Sequence, residues 1–219
     1  TDGKYGRGLE FDGEDDYIEI EDSDSLDIND EISIEAWIKS RNITGYHVVF
    51  SKGYIGNPDP YELNIRDGRP RFEIIPGDGS NEFRAETSTP HITENKWYHV
   101  VATRKGENMR IYVNGENMTI TYIDTQNSSS MASTIHDAHI GARYSTNLNF
   151  DGFIDEIRLY DRELTQEEIN ASYNNGAYRL EKNFTNLEDG EYDYTAWVID
   201  EAGNTRISSR DLYVDTIYP

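Results

Sequence analysis

The chain has no cysteine and no long apolar run, and each absence excludes a class of protein. Without cysteine, neither disulfide bonds nor thiol chemistry can contribute, so the 219 residues depend on a packed core. A chain of this length can bury a sufficient core without such help. No apolar stretch approaches the roughly 18 residues of a membrane-spanning helix, so we expect no direct membrane insertion.

Positive charge is also scarce. Asp and Glu number 42 against 20 Lys and Arg, which gives a formal net charge of −22 at pH 7. A surface this acidic repels phosphate groups, so we expect no binding to nucleic acid or to anionic membranes by electrostatics. The same charge favours solubility and can attract cations.

The hydrophobic pattern of the sequence predicts mainly short β-strands. Between residues 31 and 39, aliphatic and other residues alternate with period two, as in a strand with one face in a core. Similar runs follow, separated by the turn dipeptides Asp67-Gly68 and Asn114-Gly115. Many short strands with hardly any helix predict an antiparallel β sandwich.

The segment from Gly152 to Tyr160 is predicted to be a strand with an irregularity. Ile157 and Leu159 share one face, whereas Ile154 is out of phase with them. A β-bulge at Asp155-Glu156 would restore the register and re-aim a side chain.

A short helix should follow that strand. Thr165 is a good N-cap and Glu168 stands three residues later, so the two form a capping box. Leu164 and Ile169 can pack as a hydrophobic staple. These signals predict one helix from about residue 166 to 174.

Four stretches together resemble the laminin-G-like, concanavalin A-like jelly-roll modules. They are GKYGRGLEFDGEDDYIEI, EISIEAWIKS, WYHVVATRKGENMRIYVNGE and DGFIDEIRLYDRELTQEEINASYNNG, in the family's order over residues 3 to 176. The resemblance implies an all-β sandwich of two antiparallel sheets with one short C-terminal helix, over residues 1–176. It does not imply one function, because the fold hosts lectins, adhesins and glycosidases.

Residues 177–219 resemble the second half of the immunoglobulin-like repeats of large prokaryotic surface proteins. Three strands are predicted there, at Tyr178–Leu187, Tyr192–Ile199 and Asp211–Val214. A complete module needs about seven. We therefore expect a small three-stranded β unit that needs a partner surface or self-associates.

The jelly-roll resemblance also implies a structural calcium ion. In related modules the first and last strands meet, and calcium lies between the opening turn and an aspartate of the last strand. The matching residues here are Asp12, Gly13, Asp16 and Asp155. Calcium takes six to eight oxygen ligands, which carboxylates and carbonyls supply. The alternative is two acidic patches on a very acidic surface.

Two motifs suggest other chemistry on weaker grounds. Glu14, Asp16 and Glu19 match the acidic motif of laminarinase-like glycosidases, but they fall in the opening turn and an edge strand. A hydrolase or lyase would need carboxylates converging on the concave face, and the predicted strands do not clearly offer them. His136 and His139 are three apart, which places them on opposite faces of a strand and argues against zinc.

Candidate ligand-binding residues lie in or beside loops. Aromatic rings can stack on a sugar while amides and carboxylates bind its hydroxyls, and loops often carry function. The candidates are Tyr46, Tyr54, Asn57, Asp59, Asp78, Asn81, Tyr144 and Asn147. The alternative is that these loops are merely polar, as loops usually are.

Five Asn-x-Ser/Thr sequons fit a glycosylated surface protein; their asparagines are Asn42, Asn117, Asn127, Asn170 and Asn183. The favoured function is a non-catalytic module for binding or adhesion, extracellular or on the cell surface. It would bind a glycan or a surface protein and hold calcium as a structural ion. The alternatives are a glycoside hydrolase or lyase on the same scaffold, or a spacer without a ligand.

Overall fold

The computed structural model describes residues 1–28, 30–53, 61–74, 83–125, 135–143, 148–175, 187–199 and 205–214. The chain forms two compact units, Thr1–Tyr178 and Arg179–Pro219. The predicted boundary after residue 176 lies outside the described residues and stays a prediction. None of the helices in the described part has the length and apolar character needed to cross a bilayer.

The first unit is built from antiparallel strands and one α-helix. In chain order the described elements are β1 (Leu9–Asp12), β2 (Ile18–Ile20), β3 (Glu31–Ser40), β4 (Tyr46–Lys52), β5 (Tyr61–Arg66), β6 (Arg69–Ile74), β7 (Phe83–Thr87), β8 (Tyr98–Lys105), β9 (Asn108–Val113), β10 (Glu116–Asn117), β11 (Ile120–Thr125), β12 (Ala138–Ile140), β13 (Asp151–Tyr160) and α1 (Gln166–Asn174). A single 3₁₀ turn, Asp24–Leu26, precedes β3.

The strands form two sheets. The six-stranded sheet has the order β1-β13-β3-β8-β9-β10, and the seven-stranded sheet has the order β11-β7-β6-β5-β4-β12-β2. The predicted all-β sandwich of two antiparallel sheets with one short helix is therefore confirmed.

The core lies between the sheets, and β3 shows how the sequence creates it. Ile32, Ile34, Ala36 and Ile38 are fully buried and belong to one hydrophobic cluster with inner residues of the other sheet. Their period-two spacing places all four on one face. Burial of such aliphatic groups is the main favourable term in folding.

The irregularity in β13 is a β-bulge, as predicted. The register between β13 and β3 shifts between Asp155 and Arg158, and Glu156 has a left-handed φ of +50°. The bulge aims the Asp155 carboxylate at the N-terminal segment. Its Oδ2 accepts a hydrogen bond from the backbone N–H of Tyr5 (2.9 Å).

The predicted helix and its capping box are also present. The Thr165 side chain accepts from the backbone N–H of Glu168 (3.3 Å), and the Glu168 carboxylate accepts from the backbone N–H of Thr165 (2.9 Å). Leu164 and Ile169 are buried with Val101, on the outer face of the six-stranded sheet. The helix therefore covers that face.

The same face buries a carboxylate, Glu35 of β3. Its Oε1 accepts from Arg158 Nη1 (2.7 Å) and from the Tyr160 hydroxyl (3.0 Å). Burial alone would raise the pKa of Glu35, but hydrogen bonds from His99, Arg158 and Ser172 outweigh it and lower the pKa to about 2. This carboxylate stays ionised at all ordinary pH values.

The second unit contains an antiparallel hairpin of β14 (Gly190–Ile199) and β15 (Thr205–Val214). The last strand begins at Thr205 and not at Asp211, because backbone pairing with β14 continues through residues that are too polar to suggest a strand. The first of the three predicted strands lies almost wholly outside the described residues. The three-stranded unit and its immunoglobulin-like character stay predictions.

Candidate functional site

The outer face of the seven-stranded sheet carries a group of polar and charged side chains. Side chains alternate along a strand, so the neighbours of core-facing residues in β5 and β6 point outward. They are Glu62, Asn64, Arg71 and Glu73. The register places Glu62 opposite Glu73 and Asn64 opposite Arg71. Like charges directly opposite each other are destabilising, so the two glutamates need compensation.

Tyr46 links the two glutamates. Its hydroxyl lies 2.5 Å from Glu62 Oε1 and 2.9 Å from Glu73 Oε1. Asn64 Nδ2 donates toward the same two oxygens, at 2.8 and 3.1 Å. Because Glu62 Oε1 and Glu73 Oε1 contact the same hydroxyl, their separation cannot exceed the sum of these two hydrogen-bond distances. Because a hydroxyl has one proton, Tyr46 can donate to only one of them at a time.

Two guanidinium groups compensate the negative charge. Arg143 Nε donates to Glu62 Oε2 (2.5 Å), and Arg143 Nη2 lies 3.5 Å from Glu73 Oε2. Arg71 donates to Glu73 Oε1 (3.3 Å) and to Glu86 Oε2 of β7 (2.7 Å). The Tyr46 cluster is defined by these residues: Tyr46, Glu62, Asn64, Arg71, Glu73, Glu86 and Arg143.

Burial changes the protonation of the cluster. Glu62 is 1% exposed and Glu73 3% exposed, whereas the Arg143 and Glu86 side chains keep 15% and 19% of their surface. Burial is the main cause that raises the pKa of Glu62 to about 7; Arg143 opposes it and Glu73 adds to it. Burial and the two carboxylates raise the pKa of Tyr46 far above its usual value, so the phenol remains a donor.

An exposed aromatic ring lies farther along the same face. His139 of β12 is aligned with Ser51 of β4 and with Glu19 of β2, and Ser51 is aligned with Glu62. The Tyr17 ring lies 5.6 Å from the His139 ring, centroid to centroid, and is 54% exposed. The face thus combines an accessible ring with buried hydrogen-bonding groups.

Of the predicted ligand-binding residues, Tyr46 lies in this cluster. The others fall outside the described residues and stay predictions: Tyr54, Asn57, Asp59, Asp78, Asn81, Tyr144 and Asn147. Their segments connect or follow the strands of the cluster, since 54–60 joins β4 to β5 and 75–82 joins β6 to β7.

The members of the cluster other than Tyr46 were not among the predicted site residues, and the predicted strands did not clearly offer the two carboxylates, Glu62 and Glu73, that the structure brings together. One signal was available: Asp67-Gly68 is a two-residue hairpin loop, which fixes the register of its strands. Counting outward from that loop places Glu62 opposite Glu73. The contact with Arg143 had no comparable local signal.

The acidic opening turn is a separate cluster. Carboxylate oxygens of Asp12, Asp15 and Asp16 lie within 4.8 Å of one another and are exposed. Gly13, with φ of +81°, allows the tight turn. The backbone N–H of Glu14 donates to Asp12 Oδ1 (2.8 Å) and is the largest cause that lowers the Asp12 pKa.

The structure does not bring Asp155 to this turn. The register of β1 and β13 sets Asp12 opposite Asp151, and Asp155 follows roughly 13 Å farther along β13. The antiparallel pairing places Asp155 beside the start of β1, where Gly3 packs against its carboxylate. The expected ligand set therefore divides into Asp12, Gly13 and Asp16 in one place and Asp155 in another.

The other two motifs lie where the sequence suggested. Glu14 and Asp16 are in the turn after β1, and Glu19 is on β2, an edge strand of the seven-stranded sheet. Among the described residues, the side chains close enough together to hold a metal ion are those of Asp12, Asp15 and Asp16 in the opening turn. That group includes neither His136 nor His139.

Sequence comparison shows the family to which the chain belongs. A laminin G family model, described as the concanavalin A-like lectin/glucanases superfamily, matches residues 12–170. The chain belongs to this superfamily. It is also 25% identical over 146 residues to the mouse (Mus musculus) pentraxin-related protein PTX3, a match that covers 62% of this chain and 37% of that protein. The chain thus spans little more than a third of this relative's length.

Solved structures show the same fold at low identity. Domain 4 of AbnA, an extracellular GH43 arabinanase from Geobacillus stearothermophilus, has a TM-score of 0.62 at 20% identity, over 78% of each chain. The CBM40 of a Ruminococcus gnavus IT-sialidase has a TM-score of 0.59 at 18% identity, over 76% of this chain and 96% of the other. The binding domain of Paraclostridial Mosquitocidal Protein 1 has a TM-score of 0.65 at 15% identity, over 94% and 56%.

The raised pKa of Glu62 predicts a pH dependence of stability. A carboxyl with a higher pKa in the folded state stabilises the fold below its unfolded pKa of 4.5, and that contribution is lost as pH rises toward 7. Glu35 and Glu168 have pKa values lowered to about 2, so their contributions to stability change with pH only below 4.5. Melting temperatures of wild type and Glu62→Gln should therefore show wild type losing stability relative to the variant between pH 4.5 and 7.

Glu163→Gln is the matched control for that experiment. Glu163 pairs with Arg110 away from this sheet, and its loss should leave the pH profile in this range parallel to wild type. A difference between wild type and Glu62→Gln that stays constant from pH 4.5 to 7 would contradict the proposed protonation of Glu62.

Proposed function

We propose that the jelly roll is an extracellular, non-catalytic glycan-binding module that uses the outer face of the seven-stranded sheet. The observation that carries the proposal is the Tyr46 cluster, with the exposed Tyr17 ring on the same face. Relatives of the same fold support it: domain 4 of AbnA was solved with arabinotriose, and a CBM40 belongs to a sialidase. The sequon residues Asn42, Asn117 and Asn170 are exposed, as a glycosylated surface requires.

The chemistry of the face suits a sugar. A sugar hydroxyl both donates and accepts, and the partly exposed members of the cluster, Arg143 and Glu86, offer a guanidinium donor and a carboxylate acceptor. Each group is already held by its neighbours, so little side-chain entropy is lost on binding. The exposed Tyr17 ring offers an apolar surface on which the C–H face of a sugar ring can stack.

The same geometry argues against hydrolysis. A retaining glycosidase holds two carboxyl groups about 5 Å apart, one free to protonate the leaving group and the other free to attack. Glu62 and Glu73 are close enough, but both are nearly fully buried and both are paired with guanidinium groups. We therefore propose that the pair organises a binding surface.

Binding to a glycan microarray, followed by calorimetry on the hits, tests this function. Tyr17→Ala should weaken binding about tenfold, equivalent to about 1.4 kcal/mol, because the stacking surface for the sugar is lost. Tyr46→Phe should weaken it as well, since the hydroxyl that links the glutamates is lost. Tyr160→Phe is the control, because its hydroxyl bonds Glu35 on the other sheet, and its affinity should equal wild type.

Three results would contradict the proposal. The first is binding to no glycan, and the second is unchanged binding by both Tyr17→Ala and Tyr46→Phe. The third is release of reducing sugar from an oligosaccharide by wild type that Glu62→Gln abolishes, which would make the pair catalytic.

We also propose that the opening turn binds a structural calcium ion. The carboxylates of Asp12, Asp15 and Asp16 converge, and the lowered pKa of Asp12 keeps that ligand ionised. Their oxygens fit the ligand preference of calcium, with water completing the shell. Asp155 is not included, because the register of β1 and β13 places it roughly 13 Å along β13 from the turn.

Thermal melting with calcium and with a chelator tests the ion. Binding to the folded state alone should raise the melting temperature as free calcium rises. Asp12→Asn with Asp16→Asn should remove this response. Asp155→Asn should lower stability but keep the response; loss of the response in Asp155→Asn, or its survival in the double variant, would overturn the assignment.

For the second unit we propose self-association. A two-stranded hairpin is marginal in water, and unpaired strand edges favour pairing with another chain. The described hairpin β14–β15 has ten-residue strands and therefore long edges. Sedimentation of the full chain should show a concentration-dependent dimer that a chain ending at residue 176 does not form. A full chain that stays monomeric at all concentrations would refute this.

A further inference from the structure

Two arginines flank the hairpin turn between β5 and β6, at one end of the candidate face. Arg66 ends β5 and Arg69 begins β6; they are register partners on either side of Asp67-Gly68. Arg66 lies two residues after Asn64, and Arg69 two residues before Arg71. Alternation therefore puts both side chains on the same face as the Tyr46 cluster. Arg66 is also the register partner of Tyr46 in β4.

Neither arginine has an acidic partner among the described residues. Arg66 is exposed, and Arg69 Nε is buried without a hydrogen-bond partner. The carboxylate of the intervening Asp67 is turned away, since its Oδ1 accepts the backbone N–H of Gly45 (2.8 Å). By contrast, other described guanidiniums make salt bridges with carboxylates: Arg41, Arg71, Arg110, Arg143, Arg158 and Arg162.

This arrangement is unfavourable as it stands. Like charges directly opposite each other on neighbouring strands repel, and a buried N–H donor without an acceptor loses its hydration. The chain has 42 acidic residues against 20 basic ones, so counter-charges are plentiful, yet none from the described part of the chain pairs with these two arginines. An anionic group bound by the terminal nitrogens of the two guanidiniums would relieve the repulsion.

We propose that Arg66 and Arg69 form a subsite for the anionic group of an acidic glycan, either a carboxylate or a sulfate ester. The inference rests on the proposed glycan binding and names the ligand class. Guanidinium forks match the oxygens of both groups. The guanidiniums of the Tyr46 cluster differ from those of Arg66 and Arg69, because Arg71 and Arg143 are already bound to Glu86 and Glu62.

The strong negative charge of the whole chain does not oppose this. At physiological ionic strength the Debye length is about 8 Å, so distant surface carboxylates are largely screened. The two adjacent positive charges then determine the local potential. The preference for an acidic ligand should weaken as salt is raised, since the subsite is partly exposed.

The test uses the full chain and paired oligosaccharides that differ by one acidic group. Each uncharged member, such as lactose or arabinotriose, is compared with counterparts that carry a sialic acid, a uronic acid or a sulfate ester. Wild type should bind the acidic member about tenfold or more tightly, equivalent to about 1.4 kcal/mol. Comparison of carboxylate and sulfate members shows which group fits better.

Arg66→Gln and Arg69→Gln should each remove most of this preference while binding to the uncharged members is kept. Arg7→Gln, which removes one exposed positive charge in the N-terminal segment, should keep the preference. Because Arg66 is exposed, its substitution should not impair folding, and it tests the subsite even if Arg69→Gln is unstable.

The outcomes separate the two proposals. If uncharged members bind as tightly as their acidic counterparts, or if Arg66→Gln keeps the preference, the subsite is refuted while glycan binding stands. If Arg7→Gln reduces the preference as much as Arg66→Gln, net charge and not the subsite is responsible, and the inference is likewise refuted. If no member of any pair binds, the proposed function fails and the subsite with it.

Discussion

The neutralisation of two opposed glutamates is the constraint on which the candidate face depends. The two-residue turn at Asp67-Gly68 fixes the register of β5 and β6, and that register sets Glu62 against Glu73. Two buried carboxylates this close could not both remain ionised without compensation. Arg143 and Arg71 supply positive charge, and Tyr46 supplies a proton donor that lies between the two groups. Removing one partner would leave a buried charge unpaired, which is far more costly than losing an exposed salt bridge.

The two outer faces of the sandwich are used differently. On the six-stranded sheet, α1 buries Leu164 and Ile169 against the strands, so that face serves mainly for packing. On the seven-stranded sheet, hydrogen-bonding groups are fixed in position beside an exposed aromatic ring. Polar groups placed so that they fix the orientation of a ligand, together with aromatic side chains, are features of ligand sites. This division of roles is why we propose binding on the seven-stranded sheet, since the fold itself does not specify a function.

Local patterns predicted local structure well. The alternation along β3, the bulge at Asp155-Glu156 and the capping box at Thr165 all depend on residues near in sequence, and all three are present. The assembly of the site depends on pairings between distant residues, such as Arg143 with Glu62, and the composition of single strands does not encode these. The same limit explains Asp155: the bulge could be predicted, but the register that separates it from Asp12 could not.

The most direct measurement of the central claim is a backbone-amide NMR titration of the full chain with an oligosaccharide that it binds. The account predicts that the largest shift changes map to β4, β5, β6 and β12, and to the Arg143 and Tyr17 amides at the ends of that surface. Changes concentrated on α1 and the six-stranded sheet, or on the opening turn at Asp12, would contradict it. They would place the binding surface elsewhere on the jelly roll.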